Sequence, residues 1–187
     1  MNVVALVLAA GQGSRFGTDK RRALLGDGRS LLQHSVERAL AVFDEVRVVL
    51  REGERGEDLG LPAGCRVVHS RDAGLGMGHS LAAGAASLGN SQAQAVAILL
   101  GDMPWIAPAT FQRLISVAAP AVIVVPRHQG HNGHPVLFGR AFWGELGGLS
   151  GDEGARCVLR RHAERIVVLE LDDGGVVRDV DTPSALD

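Results

Sequence analysis

Two groups of residues in this chain have types and spacings suited to phosphate chemistry. The first follows an apolar stretch, Val3 to Leu8, and reads Ala9-Ala10-Gly11-Gln12-Gly13-Ser14-Arg15-Phe16-Gly17, with Lys20 just beyond. Glycines 11, 13 and 17 carry no side chain, so backbone N–H groups can approach an anion closely. Arg15 can grip two phosphate oxygens at once, and Lys20 adds a compact point charge. The second group is acidic. Asp102 stands directly after the apolar run Val96–Leu100, in Gly101-Asp102-Met103-Pro104. Magnesium takes one or two carboxylates and fills its other positions with water and phosphate oxygens, so Asp102 suits a metal–triphosphate complex. The same residue also suits a turn or a helix cap. Near the C-terminus stands Arg178-Asp179-Val180-Asp181-Thr182-Pro183. Taken by itself, Asp181 reads as an Asx-type turn before Thr182-Pro183. The stretch is expected to be extended, with Asp179 kept from sharing an ion with the other acid.

Three phosphate-binding loops compete for the first segment. A P-loop needs Gly-Lys-Ser/Thr at its end, but Gly17 is followed by Thr18 and Asp19. A dinucleotide fingerprint needs a third glycine at position 16 and an acid about 20 residues further on. Position 16 is Phe, and the nearest strand-end acid, Glu52, comes far later. A nucleotidyltransferase signature loop is the third option.

Three further stretches could serve a ligand. Gly74-Leu75-Gly76-Met77-Gly78-His79-Ser80 has closely spaced glycines for contact with a flat base, and Ser80 offers a donor and an acceptor. Ser80 or His79 could equally cap a helix. Arg127 to Pro135 holds His128, His131 and His134 at three-residue spacing, but no Cys or carboxylate beside them supports a metal. Gly151-Asp152-Glu153-Gly154-Ala155-Arg156 precedes a helical pattern that Asp152 could cap.

These groups need a scaffold, and the apolar periodicity supplies one. Runs at 3–9, 46–50, 66–69, 95–100, 122–126, 135–138 and 166–170 read as strands. Several are continuous rather than alternating, as in sheets covered on both faces. Helical patterns fall at Ser30–Phe43, 79–88, 106–118 and Asp152–His162. Ser30 and Gln33 form a capping box at the start of the first, Pro108 suits a first helical turn, and Gly84 interrupts an Ala-rich pattern. Strand–helix alternation implies a mostly parallel sheet with right-handed crossovers. The expected fold is a three-layer α/β/α sandwich of doubly wound type. Its ligand lies beyond the carboxyl ends of the strands, where the first loop sits.

At 187 residues and 19.6 kDa, the chain is expected to be one domain spanning residues 1–187. A net charge of −2 excludes a general nucleic-acid or membrane-surface binder, so phosphate affinity must come from local charge. Cys65 and Cys157 lack CxxC spacing, which argues against a disulfide framework or a thiolate zinc site. The apolar start has no basic n-region and is too short to span a bilayer, so a cytoplasmic location is expected.

Leu8-Ala9-Ala10-Gly11, Arg15-Phe16-Gly17 and Lys20 resemble the signature loop of the small nucleotidyltransferases that build dinucleotide forms of the molybdenum cofactor. Gly101-Asp102-Met103-Pro104 is similar to that family's metal motif, and Asp179–Pro183 resembles its Asp-Ile-Asp-Thr-Pro element. Gly76–Ser80 resembles its nucleotide-side Gly-x-x-x-Ser, Gly133-His134-Pro135-Val136 its acceptor-side Gly-His-Pro-Val, and Gly151–Arg156 an element of its cytidylyltransferase members. The resemblance implies a Rossmann-like nucleotidyltransferase fold and transfer of CMP from CTP to the phosphate of molybdopterin. It implies Mg2+ on Asp102 and Asp181, with Arg15, Lys20 and Asp102 as catalytic residues. Leu8, Ala10, Gly11, Gly13, Arg15, Lys20, Gly76 and Ser80 would bind the nucleotide. Gly133, His134, Gly151 and Asp152 would bind the acceptor, leaving His128 and His131 to solvent. Ala10 in place of a second Gly, and Ser30-Leu31-Leu32, point to CTP over GTP within that family. Partners would be CTP, molybdopterin-type molecules and, transiently, a molybdoenzyme or its chaperone, with no nucleic acid and no membrane. Arg21 and Arg22 stand where relatives often carry apolar residues. Alternative readings are transfer from GTP, another phosphorylated acceptor, a non-catalytic cofactor chaperone, and a dinucleotide-dependent oxidoreductase.

Overall fold

The computed structural model describes residues 1–11 and 18–181. Gly13 and Arg15, two expected phosphate-binding residues, lie outside the described residues. The seven apolar runs all form strands: β1 (Val3–Leu8), β2 (Glu45–Arg51), β3 (Cys65–Ser70), β4 (Ala95–Leu100), β5 (Ile123–His128), β7 (Val136–Gly139) and β8 (Ile166–Glu170). A short strand not anticipated from the sequence, β6 (His131–Asn132), turns back on β5.

The eight strands form one mostly parallel sheet. Strands β3, β2, β1 and β4 run parallel in that order, followed by β7 and then β5, with β8 parallel to β5 on its far side. Among the described residues, only β6 and β7 run antiparallel to their neighbours. The chain winds from β1 outward to β3, then returns to place β4 on the other side of β1. The crevice between the ends of β1 and β4 is therefore the switch point where such sheets bind ligands.

Every residue of β1 is buried, and its side chains alternate between the two faces. Val3, Ala5 and Val7 join one core with α1 (Leu31–Leu40) and α3 (Pro108–Val117). Val4, Leu6 and Leu8 join the other with α2 (Met77–Ser87), α4 (Trp143–Gly147) and α5 (Arg156–Arg161). Each buried Val or Leu is worth about 1.5–3 kcal/mol relative to exposure, so the central strands are the stiffest part of the fold.

Helix ends follow local chemistry in some places and tertiary packing in others. The Ser30 hydroxyl accepts from the Gln33 amide at 3.2 Å, and Gln33 Oε1 accepts from the Ser30 amide at 2.8 Å, completing the capping box. Pro108 opens α3. Gly84 sits against Leu6, where any Cβ would collide, so this glycine lets α2 lie close on β1. By contrast, α2 starts at Met77, ahead of Ser80 and His79, and neither caps it. Asp152 does not cap α5, whose N-cap is Ala155, because the loop before the helix packs elsewhere. No helix among the described residues is long and apolar enough to cross a membrane.

Candidate active site

The register of β1 and β4 brings the two chemical motifs together. Leu8 pairs with Leu100, and the Gly101 amide donates to the Leu8 carbonyl at 3.0 Å. The loop Ala9–Gly11 and the carboxylate of Asp102 thus emerge side by side. They border a cavity of about 360 Å³, also lined by Leu8, Lys20, Gly76, Ser80 and Asp152.

Lys20 lies on a short 3-10 turn, Lys20–Arg22, and reaches across to the acids. Its ammonium donates to Asp102 Oδ2 at 2.6 Å, to the Val180 carbonyl at 3.4 Å and to Asp181 Oδ1 at 3.5 Å. Burial pulls the ammonium pKa down, but the Asp102 hydrogen bond and the charges of Asp102 and Asp181 outweigh it. The net shift is upward, so Lys20 keeps its proton at neutral pH.

Asp102, Asp179 and Asp181 each place a carboxylate oxygen within 4.8 Å of the others. The expectation for Asp179 is therefore corrected. Residues two apart on an extended segment share a face, and the intervening Val180 points the other way, fully buried beside Leu31. The Val180 amide donates to the Asp102 carbonyl at 3.1 Å, pinning the segment to the end of β4. Arg178 stacks over Trp105, 3.7 Å from the ring centroid. Asp173 fixes the preceding turn by accepting from the Ala107 amide, the Thr110 hydroxyl and the Gly175 amide at 2.9, 2.6 and 2.9 Å. Oxygen donors of this kind suit a hard divalent cation. Asp102 Oδ1 is buried without a hydrogen-bond partner among the described residues, as a metal-ligating oxygen would be.

The expected acceptor residues separate into two places. Asp152 borders the first cavity, and beside it the Gly151 carbonyl accepts from the Gly78 amide at 2.8 Å. Gly76, at φ +125°, touches Gly151 and Asp152 so closely that a side chain there would collide. The loops expected on the nucleotide and acceptor sides are thus packed on each other. Ser80 is buried on α2 and borders the same cavity. Gly133 and His134 are not part of that lining. The His134 amide donates to the Val176 carbonyl at 2.8 Å, and its ring feels the charges of Asp102 and Asp179. Burial holds the ring pKa below the usual histidine value, and Nδ1 has no partner among the described residues. His131 is exposed as expected, but His128 is half-buried and its Nδ1 bonds the Leu171 carbonyl at 2.8 Å.

Arg21 differs most from what its sequence context suggests. It is buried and forms ion pairs with Asp19 and Glu54. No local pattern marks Glu54 as its partner, because the contact spans 33 residues.

Residues 5–166 match the domain described as "MobA-like NTP transferase domain". The chain belongs to this family. Among relatives of the MobA-like chain, the purine catabolism protein PucB of Bacillus subtilis is 32% identical over 99% of this chain and 94% of its own. The nicotine blue oxidoreductase of Paenarthrobacter nicotinovorans is 31% identical over 96% of this chain and 92% of its own. A protein of Chloroflexus aggregans named probable molybdenum cofactor guanylyltransferase is 30% identical over 71% of this chain and 62% of its own. The crystal structure of Rv0371C of Mycobacterium tuberculosis in complex with manganese superposes with a TM-score of 0.82. It is 29% identical, covering 99% of this chain and 96% of that one. The fold is that of the Rossmann-like nucleotidyltransferases, and membership of the MobA-like family makes nucleotidyl transfer the activity of the chain at its coarsest level.

Proposed function

We propose that this MobA-like transferase moves CMP from CTP to the phosphate of molybdopterin and releases pyrophosphate. The observation that carries the transfer chemistry is the meeting of Lys20, Asp102 and Asp181 beside the Ala9–Gly11 loop. The choice of CTP and of a pterin acceptor is supported by the resemblance of Leu8–Gly11, Gly133–Val136 and Gly151–Arg156 to the corresponding family elements.

Asp102, Asp179 and Asp181 would hold a divalent cation, Mg2+ in this reading. That ion, when bound, neutralises triphosphate charge. Lys20 places a positive charge where charge builds on the phosphates as pyrophosphate leaves. Arg15 is assigned to the same phosphates. Ser80 and the loop at Gly76 border the nucleotide, while Gly151, Asp152, Gly133 and His134 are assigned to the acceptor. The acceptor phosphate is already an anion, so its oxygen can attack the α-phosphorus without a general base. The protein's part is to align the two and exclude water.

The test is pyrophosphate release with Mg2+ and each of CTP, GTP, ATP and UTP, with and without molybdopterin. Release that requires both CTP and the pterin is expected. A second reading, transfer from GTP, is favoured by the relative named as a guanylyltransferase, and pterin-dependent release with GTP instead of CTP would establish it. Tight nucleotide binding without turnover would point to another acceptor or to a cofactor chaperone. Binding of NAD in preference to any triphosphate would favour an oxidoreductase.

A further inference from the structure

Arg21 borders the cavity, yet it has nothing left to offer a phosphate. A guanidinium carries five N–H bonds, and all five are engaged. Nε donates to Asp19 Oδ1 at 2.8 Å, and Nη2 donates to Asp19 Oδ2 at 2.7 Å and Glu54 Oε1 at 2.6 Å. Nη1 donates to Glu54 Oε2 and to the Ala9 carbonyl, both at 2.8 Å. Burial works against the charge, but Glu54 and Asp19 more than compensate and hold the guanidinium pKa above its ordinary value.

Arg51 extends the same cluster. Its backbone amide donates to Glu54 Oε2 at 3.0 Å, its Nε donates to the Ala10 carbonyl at 3.2 Å, and its Nη2 donates to the Gly11 carbonyl. Two arginines and two carboxylates cancel in formal charge, so the cluster adds little positive potential to the cavity. Its distinctive product is geometric: three successive carbonyls, of Ala9, Ala10 and Gly11, are each tied to an arginine.

The Ala9–Ala10 and Ala10–Gly11 peptide bonds are trans. In a trans peptide, the carbonyl of one residue and the N–H of the next point in opposite directions. Drawing the Ala9 and Ala10 carbonyls onto the arginines therefore turns the Ala10 and Gly11 amides away from them. Both residues border the cavity. We propose that Arg21, with Arg51 and Glu54, is the positioning residue of the phosphate loop. It fixes the peptide planes of Ala9–Gly11 so that the Ala10 and Gly11 amides are presented to the triphosphate. This role rests on the nucleotide reading above. It differs from the direct phosphate contact that an arginine beside a nucleotide loop would suggest.

Glu54→Gln separates the two roles, because Glu54 is not part of the cavity lining. Were Arg21 a phosphate ligand, removing its carboxylate partner would leave nucleotide affinity unchanged or raise it. As a positioning cluster, Glu54→Gln and Arg21→Lys should each weaken Mg2+-triphosphate binding by about tenfold or more, the scale of a lost charge-assisted hydrogen bond. Binding of the triphosphate preferred by the wild-type chain, and of inorganic tripolyphosphate, would be measured by titration calorimetry. In steady state, the KM for the nucleotide should rise while the KM for the acceptor stays put, a split that general destabilisation would not produce. Arg21→Lys keeps the charge but offers three N–H donors where Arg21 makes five hydrogen bonds, so it should fail to rescue. If Arg21 variants do not fold, Glu54→Gln and Arg51→Gln carry the same test, since both side chains are partly exposed. Wild-type binding that Glu54→Gln leaves intact overturns the positioning role alone. Absence of any triphosphate binding by the wild-type chain overturns the nucleotide reading, and this role with it.

Discussion

The ammonium of Lys20 lies 2.6 Å from Asp102 Oδ2, joining the turn after the first loop to the exit of β4 across 82 residues of sequence. In the proposed reaction this contact would couple the phosphate-binding charge to the metal-binding carboxylate at one point. It also keeps Lys20 extended toward the crevice between β1 and β4.

Lys20→Met should therefore cut pyrophosphate release by about 100-fold or more, the scale for removing one group that stabilises transition-state charge. Asp102→Asn should do the same. The midpoint of thermal unfolding should move by only a few degrees, because Lys20 is partly solvated. Near-wild-type release by either variant, in a continuous pyrophosphate assay, would sink the assignment.

Asp179 is expected to matter as much as Asp181 for the cation. Asp179→Asn and Asp181→Asn should each weaken Mn2+ binding, read by electron paramagnetic resonance, by about tenfold, which is 1.4 kcal/mol of lost binding free energy. An Asp179→Asn variant with unchanged affinity would leave Asp102 and Asp181 as the ligands and Asp179 as a neighbour only.

Val180 anchors both of these acids. It is fully buried between them and bonds the Asp102 carbonyl through its amide. Val180→Ala removes two buried carbons, a loss of about 1.6 kcal/mol. Urea unfolding should show that loss, and Mn2+ affinity should fall although no ligand has changed. Trp105→Ala, which removes the stacking partner of Arg178, should weaken Mn2+ binding in the same direction.

The Asp19–Arg21–Glu54 cluster should leave an acid signature. The Arg21 hydrogen bond holds Asp19 below the usual carboxylate range. Glu54 is also depressed: burial raises its pKa, but Arg21 and Arg51 outweigh that. A depressed folded-state pKa stabilises fully above the unfolded value, about 4.3 for Glu. That contribution is lost as pH falls through the folded value. The stability difference between wild type and Glu54→Gln should thus be constant above about pH 5 and shrink below about pH 4. Urea unfolding across that range checks it, and a difference that grows on acidification would contradict it.

Local chemistry sufficed wherever the deciding contacts are near in sequence. The buried strands needed only continuous apolar runs, and the start of α1 needed only Ser30 and Gln33. Lys20 and Asp102 were visible because glycines and acids that follow apolar strands are local signals. The cap expected from Asp152 failed because the 150–152 loop is held by Gly76 and Gly78, more than 70 residues earlier. His128 turned inward because its ring Nδ1 donates to the Leu171 carbonyl, 43 residues away.

The sequence by itself determined the α/β layering and the mostly parallel sheet, and it offered two candidate groups for the chemistry, a glycine-rich basic loop and strand-end acids. Periodicity and composition act over a few residues, and that range suffices for those features. Tertiary structure alone decided that Asp179 joins Asp102 and Asp181, that Arg21 is spent on the Ala9 carbonyl and two carboxylates, and that the loops at Gly76 and Gly151 support each other. Each of those outcomes depends on which distant backbone groups need a partner once the sheet has closed, and buried polar groups must find one.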